Sequence, residues 1–269
     1  MITKKHIKEF HDNGFIVIRK FLRKKDINNI FSQMDDVLSA IFKYNKIKYS
    51  KKLSFDDKYF LLNKKKPILK AHFYDSIRIL DSFSNMVFSK RLIELIKKLL
   101  NERTIFVTNY RLLTDHKLEP RHLGCLHQEL NKISSESALV WCPLVKVNKK
   151  LGGLCVIPGS HKFGHLLFRN SKYPVGTYSK TGDVKKILKD QDKINYRNKI
   201  VQKFFDKKNL YFPNLNPGDA VIHNMFTFHA ATNHVGKGIR WTLSSNYHKI
   251  SKTPYILHEN FKLRCSCSI

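Results

Sequence analysis

Acidic residues are scarce in this chain. Its 21 aspartates and glutamates stand against 50 lysines and arginines, a formal net charge of +29 at pH 7. A surplus of that size draws anions of every kind, from nucleic acid and anionic lipid to phosphorylated small molecules. The cations are nonetheless spread along the whole sequence in short groups such as Lys64-Lys65-Lys66 and Lys149-Lys150, without a low-complexity arm. Zinc-finger, RNP-type and glycine-rich phosphate motifs are missing too, which argues against dedicated nucleic-acid recognition. Two readings of the charge remain: a lysine-rich solvated surface, or attraction of an acidic or phosphate-bearing small substrate.

Long apolar runs are also missing. No segment approaches the ~18 residues of a membrane helix, and no charged-apolar-small leader opens the sequence. The expectation is cytoplasmic residence with no transmembrane segment. Only five cysteines occur, an odd number without regular spacing, which argues against a disulfide framework. Cys125, Cys142 and Cys155 fall within apolar segments, where a free thiol behaves as a small buried group, whereas Cys265 and Cys267 form a C-terminal Cys-x-Cys read as part of a tail. There is no internal repeat and no sign of a second domain. With 42% hydrophobic residues over 269 positions, a single domain with one sizeable core is expected.

The pattern along the chain divides into helices first and strands afterwards. Thr3 is placed to cap a helix through Phe10 that Gly14 ends, and Phe15 to Ile18 reads as a strand. Asp26 is expected to cap a longer helix whose apolar residues Ile27, Ile30, Phe31, Met34, Val37, Leu38, Ile41 and Phe42 recur at helical spacing. Residues 43–70 are lysine-rich and interrupted, read as loop with a short helix. Ser89 is placed to cap a helix through Leu100. From Thr104 the period changes to two, with extended segments at Thr104–Leu113, Leu123–Leu130, Ala138–Val147, Leu154–Ile157, Asp219–His223 and Arg240–His248. Turns such as Gly152-Gly153 and Pro217-Gly218 separate them. The expected fold is mainly β, a double-stranded β-helix (a jelly roll of the cupin type) with flanking N-terminal helices. Its parts are a helical region over about 1–103, a core over about 104–250, an insert at 161–216 lying at the barrel mouth, and a tail at 251–269.

Chemistry is suggested by four residues. His127 and Glu129, two apart in HQEL, present both side chains on one face of a strand. A distant second histidine such as His229 would complete a two-His-one-carboxylate set, which with open positions marks non-heme Fe(II) oxygenases, although spacing alone does not carry that assignment. Arg240 offers a planar fork that pairs with a carboxylate through two parallel hydrogen bonds. His116 and His122 precede HQEL, but their spacing from His127 does not fit a strand. His161 reads as a turn residue. Asn109 and Arg111, beside Tyr110, are candidates for lining the pocket, with nothing in the sequence to fix the side they take.

The text around these residues resembles the phytanoyl-CoA dioxygenase family of Fe(II)- and 2-oxoglutarate-dependent oxygenases. The similar segments run collinearly: Glu9 to Ile18 (EFHDNGFIVI), Leu126 to Leu130 (LHQEL), Leu139 to Leu144 (LVWCPL), Gly152 to Lys162 (GGLCVIPGSHK), Pro217 to His223 (PGDAVIH), then Phe228-His229 and Arg240. The resemblance implies iron ligation by His127, Glu129 and His229, and a salt bridge from Arg240 to the distal carboxylate of 2-oxoglutarate. It further implies co-substrate contacts from Gln128 and Trp141. His223 matches a histidine common in the family, and stays open between lining the pocket and a strand-end core role. Two departures stand out: Ala230-Ala231 follow the second histidine where the family usually has Gly-Ser, and Asn233 sits four residues on instead of five. The presence of Glu129 separates the chain from related halogenases, which lack the carboxylate.

The activity implied is a dioxygenase hydroxylating a C–H bond of a small organic substrate, anionic on the second reading of the charge, with release of succinate and CO2. The alternatives are a non-catalytic jelly-roll binding module, or a basic protein that interacts with nucleic acid. All four site residues being intact weighs against the first, and salt-sensitive retention on DNA or RNA would be the mark of the second.

Overall fold

The structure is a computed structural model that describes residues 3–117, 126–129, 136–149, 151–164, 209–232 and 234–252. Six helices come from the first part of the chain: α1 (Lys4–Asn13), α2 (Lys24–Tyr44), α3 (Phe55–Lys65), α4 (Leu69–Arg78), α5 (Asp81–Val87) and α6 (Lys90–Leu100). Seven strands accompany them: β1 (Phe15–Ile18), β2 (Ile105–Asp115), β3 (Ser137–Pro143), β4 (Leu154–Val156), β5 (Ala220–Asn224), β6 (His229–Ala231) and β7 (Arg240–Lys249).

Helix boundaries follow local chemistry. Thr3 caps α1 by accepting from the His6 backbone N–H, and Gly14 ends it at φ 80°, a left-handed conformation that glycine adopts without penalty. A Cβ at Gly14 would stand 2.4 Å from His161 Nδ1, so the same glycine admits the 160s turn against the helix end. Ser89 caps α6 through the Leu92 N–H. α2 corrects the expected cap: it begins two residues before Asp26, whose carboxylate accepts from the Arg23 backbone N–H at 3.0 Å and its guanidinium at 2.9 Å. Asp26 thus serves from the third helical position, where an acid also complements the helix dipole.

Two antiparallel sheets form the β part. The larger has strand order β1-β5-β3-β7-β2, and β4 pairs with β6 in the smaller. Period-two alternation gives the large sheet two distinct faces. Ile16, Ile18, Ala138, Val140, Cys142, Ala220, Ile222, Trp241 and Leu243 join the helices in the main core, with Ile30, Met34, Leu38, Phe73 and Leu95 from the helical side. Phe15, Trp141 and Val221 take the other face and pack with Leu154 and Val156 of the small sheet. The space between the sheets is where the functional candidates fall.

Helix outweighs strand, at 41% against 26% of the described residues, which corrects the expected mainly-β class. The reason is local. Residues 43–70, read as loop with one short helix, carry α3 and the start of α4, and α5 follows. Apolar Tyr59 and Leu62 of that stretch, and Phe73 and Ile77 just beyond it in α4, are fully buried, although intervening lysines blur the periodicity. Lys58 is itself mostly covered, with its ammonium on Asp35 at 2.7 and 2.8 Å. Residues 123–125 and 130 of the expected HQEL strand, most of the 161–216 insert, nearly all of the tail, and His122, Asn233, Cys125, Cys265 and Cys267 lie outside the described residues. Cys142 and Cys155 are buried free thiols. Burial raises both, Cys155 to about 11, which keeps them protonated. No helix among the described residues is long and apolar enough to cross a membrane.

Candidate metal and anion site

HQEL reaches the small sheet through backbone pairing. His127 donates its N–H to the His229 carbonyl at 2.9 Å, and His229 returns the bond at 3.0 Å; Glu129 then donates to the Met225 carbonyl at 3.0 Å. This pairing sets the HQEL segment beside β6. His127, Glu129 and His229 come together, their ligand atoms all within 4.8 Å of one another. Glu129 Oε1 lies 3.8 Å from His127 Nε2 and 3.8 Å from His229 Nε2. Atoms bound about 2.1 Å from one ion stand roughly 3–4 Å apart, so the group is sized for a single metal.

Protonation states suit a cation. His229 Nδ1 lies 2.9 Å from the Thr227 carbonyl, an oxygen that can only accept. The ring proton is therefore on Nδ1 and the Nε2 lone pair is free, the second-shell arrangement typical of metal-binding histidine. Burial, then the charge of His127, lowers the pKa of His229, with Glu129 opposing. Burial works against the Glu129 carboxylate, yet interactions with His127 and His229 outweigh it and hold Glu129 well below the usual carboxylate range. Two imidazoles and one carboxylate make a donor set for a divalent ion with open positions on the remaining face.

His223, on β5 of the larger sheet, faces the metal group from across the gap between the sheets. Its ring centre is 4.2 Å from that of His229, it is buried, and burial followed by the charge of His229 pushes its pKa well down. His161 is elsewhere: its Nε2 lies 2.9 Å from the His11 carbonyl, a tie between the 160s turn and α1. His116 packs edge-on to Tyr59 and Phe60 and is not in the metal group.

Gln128 faces away from its neighbours, as strand alternation requires. Its amide nitrogen donates to the Gly164 carbonyl at 2.6 Å and the Phe226 carbonyl at 2.7 Å, bonds that tie HQEL to the flanking loops.

Arg240 opens β7 and is 1% exposed. Its guanidinium carbon sits 5.8 Å from the centre of the Trp141 ring, within cation–π range. Nη1 donates to the Gly152 and Thr232 carbonyls, and Nε has no partner. Gly152 is held at φ 71°, and a Cβ there would meet Arg240 Nη1 at 2.8 Å, so this turn must be glycine for the arginine to lie where it does. From outside, Asp56 at the start of α3 accepts from Ile239 N–H at 2.9 Å and Trp241 Nε1–H at 2.7 Å. One aspartate thereby fixes the residues on both sides of Arg240.

Arg111 pairs in register with Ser244, which also pairs with Trp141, so Arg111 shares the inter-sheet face and is exposed. Asn109, at φ 49°, sits in the bulge between Thr108 and Arg111 and is exposed. The bulge absorbs one residue, which keeps both Thr108 and Arg111 on the inner face.

Sequence reasoning missed Asp115. It stands directly opposite Arg240 in the β2–β7 register, with Oδ2 3.3 Å from Arg240 Nη2. Only the strand pairing brings these residues together, since they are 125 positions apart. The sole sequence signal is that Asp115 continues the alternation of the Thr104–Leu113 strand by one further inward step.

The Phytanoyl-CoA dioxygenase (PhyH) family profile matches residues 10–242. Among solved structures, the chain is similar to SnoN, a non-heme alpha-ketoglutarate-dependent epimerase from nogalamycin biosynthesis, with 13% identity and TM-score 0.56, covering 91% of this chain and 80% of that one. It is also similar to SnoK, a carbocyclase of the same biosynthesis, with 14% identity, TM-score 0.56, and coverage of 92% and 84%. HygX from Streptomyces hygroscopicus, solved with nickel and 2-oxoglutarate bound, gives 13% identity, TM-score 0.53, and coverage of 93% and 88%. No curated protein matches the sequence.

Proposed function

The chain belongs to the phytanoyl-CoA dioxygenase family, whose enzymes use Fe(II) and 2-oxoglutarate, and from that premise we propose that it hydroxylates a C–H bond of a small, anionic organic substrate. The observation that carries the reading is Glu129 between two histidine nitrogens at 3.8 Å each, with the buried Arg240 on the other sheet. We read the two facing sheets as the walls of a double-stranded β-helix, with the site between them.

His127, Glu129 and His229 would hold iron, and Arg240 the distal carboxylate of 2-oxoglutarate. Together the two groups supply oxygen activation coupled to oxidative decarboxylation, yielding succinate and CO2. The residues themselves bind, orient and exclude water. Arg240 pairs with a carboxylate as a planar fork, and the Trp141 ring backs it. The Thr227 carbonyl keeps the His229 proton on Nδ1. Phe15, Trp141, Val156 and Val221 form a dry apolar wall, which strengthens the electrostatic contacts beside it. Gln128, with its amide donors committed to two carbonyls, serves the shape of the HQEL segment instead of touching the co-substrate. The retained carboxylate favours hydroxylation over halogenation. Arg111, an exposed cation on the inner face, and the net charge of +29 favour an anionic substrate.

The test is turnover. The iron-loaded protein is supplied with 2-oxoglutarate, oxygen and a panel of small carboxylates and phosphate esters beside neutral isosteres. Expected is succinate release stimulated by a charged member of the panel, with one oxygen atom from O2 gained by that compound. Stimulation by neutral compounds alone would refute the anionic assignment, and a product rearranged without gaining oxygen would refute hydroxylation.

A further inference from the structure

Arg240 already has a carboxylate of its own. Asp115 lies across the strand pair with Oδ2 3.3 Å from Nη2, both residues are at least 95% buried, and the pair is incomplete. Among the described residues, neither Asp115 Oδ2 nor Arg240 Nε has a hydrogen-bond partner. The arginine therefore has a donor free for a second acid, while its charge is already balanced by the first. A buried guanidinium serving two carboxylates leaves one negative charge uncompensated, and burying an uncompensated charge is costly. Two carboxylates sharing one site settle this by holding a proton.

We propose that Asp115 is a built-in competitor for Arg240, so that the distal carboxylate of 2-oxoglutarate enters this pocket together with one proton. This rests on the function proposed above and adds a residue that sets how tightly, and at what pH, the co-substrate is taken. Among the described residues, the charged and titratable groups facing Asp115 are Arg240 from β7, His234 from the segment before β7, and His116 next in the chain. Burial already raises the pKa of Asp115, against the opposing charges of Arg240, His234 and His116, so the carboxylate is predisposed to accept the proton that an incoming anion demands. Should His234 take it instead, the count of protons is the same, and Asp115 remains the reason one is needed. Co-substrate affinity should then rise as pH falls, by about tenfold per pH unit for one linked proton.

The experiment is anaerobic calorimetric titration of the iron-loaded full chain between pH 6.5 and 8, in two buffers of different ionisation heat. The ligands are 2-oxoglutarate and 2-oxobutyrate, which keeps the 2-oxo acid but lacks the distal carboxylate and so shares every protonation event at the metal end. Expected is an uptake of close to one proton more for 2-oxoglutarate than for 2-oxobutyrate, measured on the unmodified protein. Asp115→Asn should abolish that difference and tighten 2-oxoglutarate binding at pH 8 by about tenfold. Equal proton uptake for the two acids would overturn the proposal. So would weaker binding of 2-oxoglutarate to Asp115→Asn, which would make Asp115 an anchor that positions Arg240. Absence of binding by either 2-oxo acid would instead refute the proposed function, and this inference with it.

Discussion

His127 and His229 are joined twice through their backbones, each donating its N–H to the other's carbonyl, at 2.9 and 3.0 Å. Two histidines 102 residues apart are thereby locked in register before any metal binds, and Glu129 is carried to the same face by strand periodicity. Binding to a prearranged donor set avoids the entropy of assembling it.

Removing one donor should therefore cost metal affinity without unfolding the protein. His229→Ala and Glu129→Ala are each expected to weaken Fe(II) binding by more than about 100-fold, beyond the 10- to 100-fold typical of losing a supporting residue. The check is anaerobic metal titration, with a thermal melt of the metal-free protein showing the fold retained.

Gly152→Ala should separate the two halves of the site. The new Cβ would press on Arg240 Nη1 at 2.8 Å, at a backbone φ of 71° that side chains rarely adopt. A displaced guanidinium should weaken 2-oxoglutarate binding by about tenfold, which corresponds to roughly 1.4 kcal/mol. Metal affinity should hold, because the atoms nearest the added Cβ belong to Arg240, His234 and Thr232 and to none of the three metal donors. Separate titrations of iron and co-substrate decide it.

Asp219 organises the turn before β5. Its carboxylate accepts from Arg19 Nη1 at 2.8 Å, Lys20 N–H at 2.8 Å and Asn216 N–H at 3.0 Å. Burial opposes its ionisation, but these bonds outweigh it and hold its pKa below the ordinary aspartate range. The stabilisation is present above the unfolded value and is lost as pH falls through the folded one. Asp219→Ala, which removes three hydrogen bonds made by Arg19, Lys20 and Asn216, all exposed residues that water can reach, should cost about 1–2 kcal/mol in urea unfolding at pH 7.

His248 contributes a second pH dependence of the opposite chemical type. It is fully buried, with Nε2 2.7 Å from Thr108 Oγ1, and burial depresses its pKa from 6.5 to about 4. The neutral ring is favoured in the fold, so stability is intact above pH 6.5 and falls as the unfolded chain gains a proton that the folded one refuses. Between pH 7 and pH 5 this group alone should remove about 2 kcal/mol. Urea unfolding of the wild type and His248→Gln at both pH values should show a smaller drop in the variant by that amount.

Much of this architecture was legible from local chemistry. Thr3 and Gly14 bracket α1, and Ser89 starts α6, because caps are short-range hydrogen bonds that a few residues determine. The continuous apolar runs LVWCP and AVI mark strands buried on both faces. The segment holding α3 to α5 was not legible, because Lys58, Lys64, Lys65 and Lys70 interrupt the apolar stripe formed by Tyr59, Leu62, Phe73 and Ile77. Their aliphatic stems can cover the core while the charge finds a partner, as Lys58 does on Asp35. At the site, His127 and Glu129 share a face by spacing alone, whereas the approach of His229 depends on sheet pairing. Asp115 lay beyond reach for that reason: only the β2–β7 register sets it against Arg240.

The central claim is that the two-histidine, one-glutamate group and Arg240 together take Fe(II) and 2-oxoglutarate. Anaerobic addition of both to the full chain, followed by visible absorption, tests it most directly. A metal-to-ligand charge-transfer band should appear with both components, be absent with either alone, and be lost in His229→Ala. A folded wild-type protein that shows no such band, or a His229→Ala variant that shows it undiminished, would contradict the account.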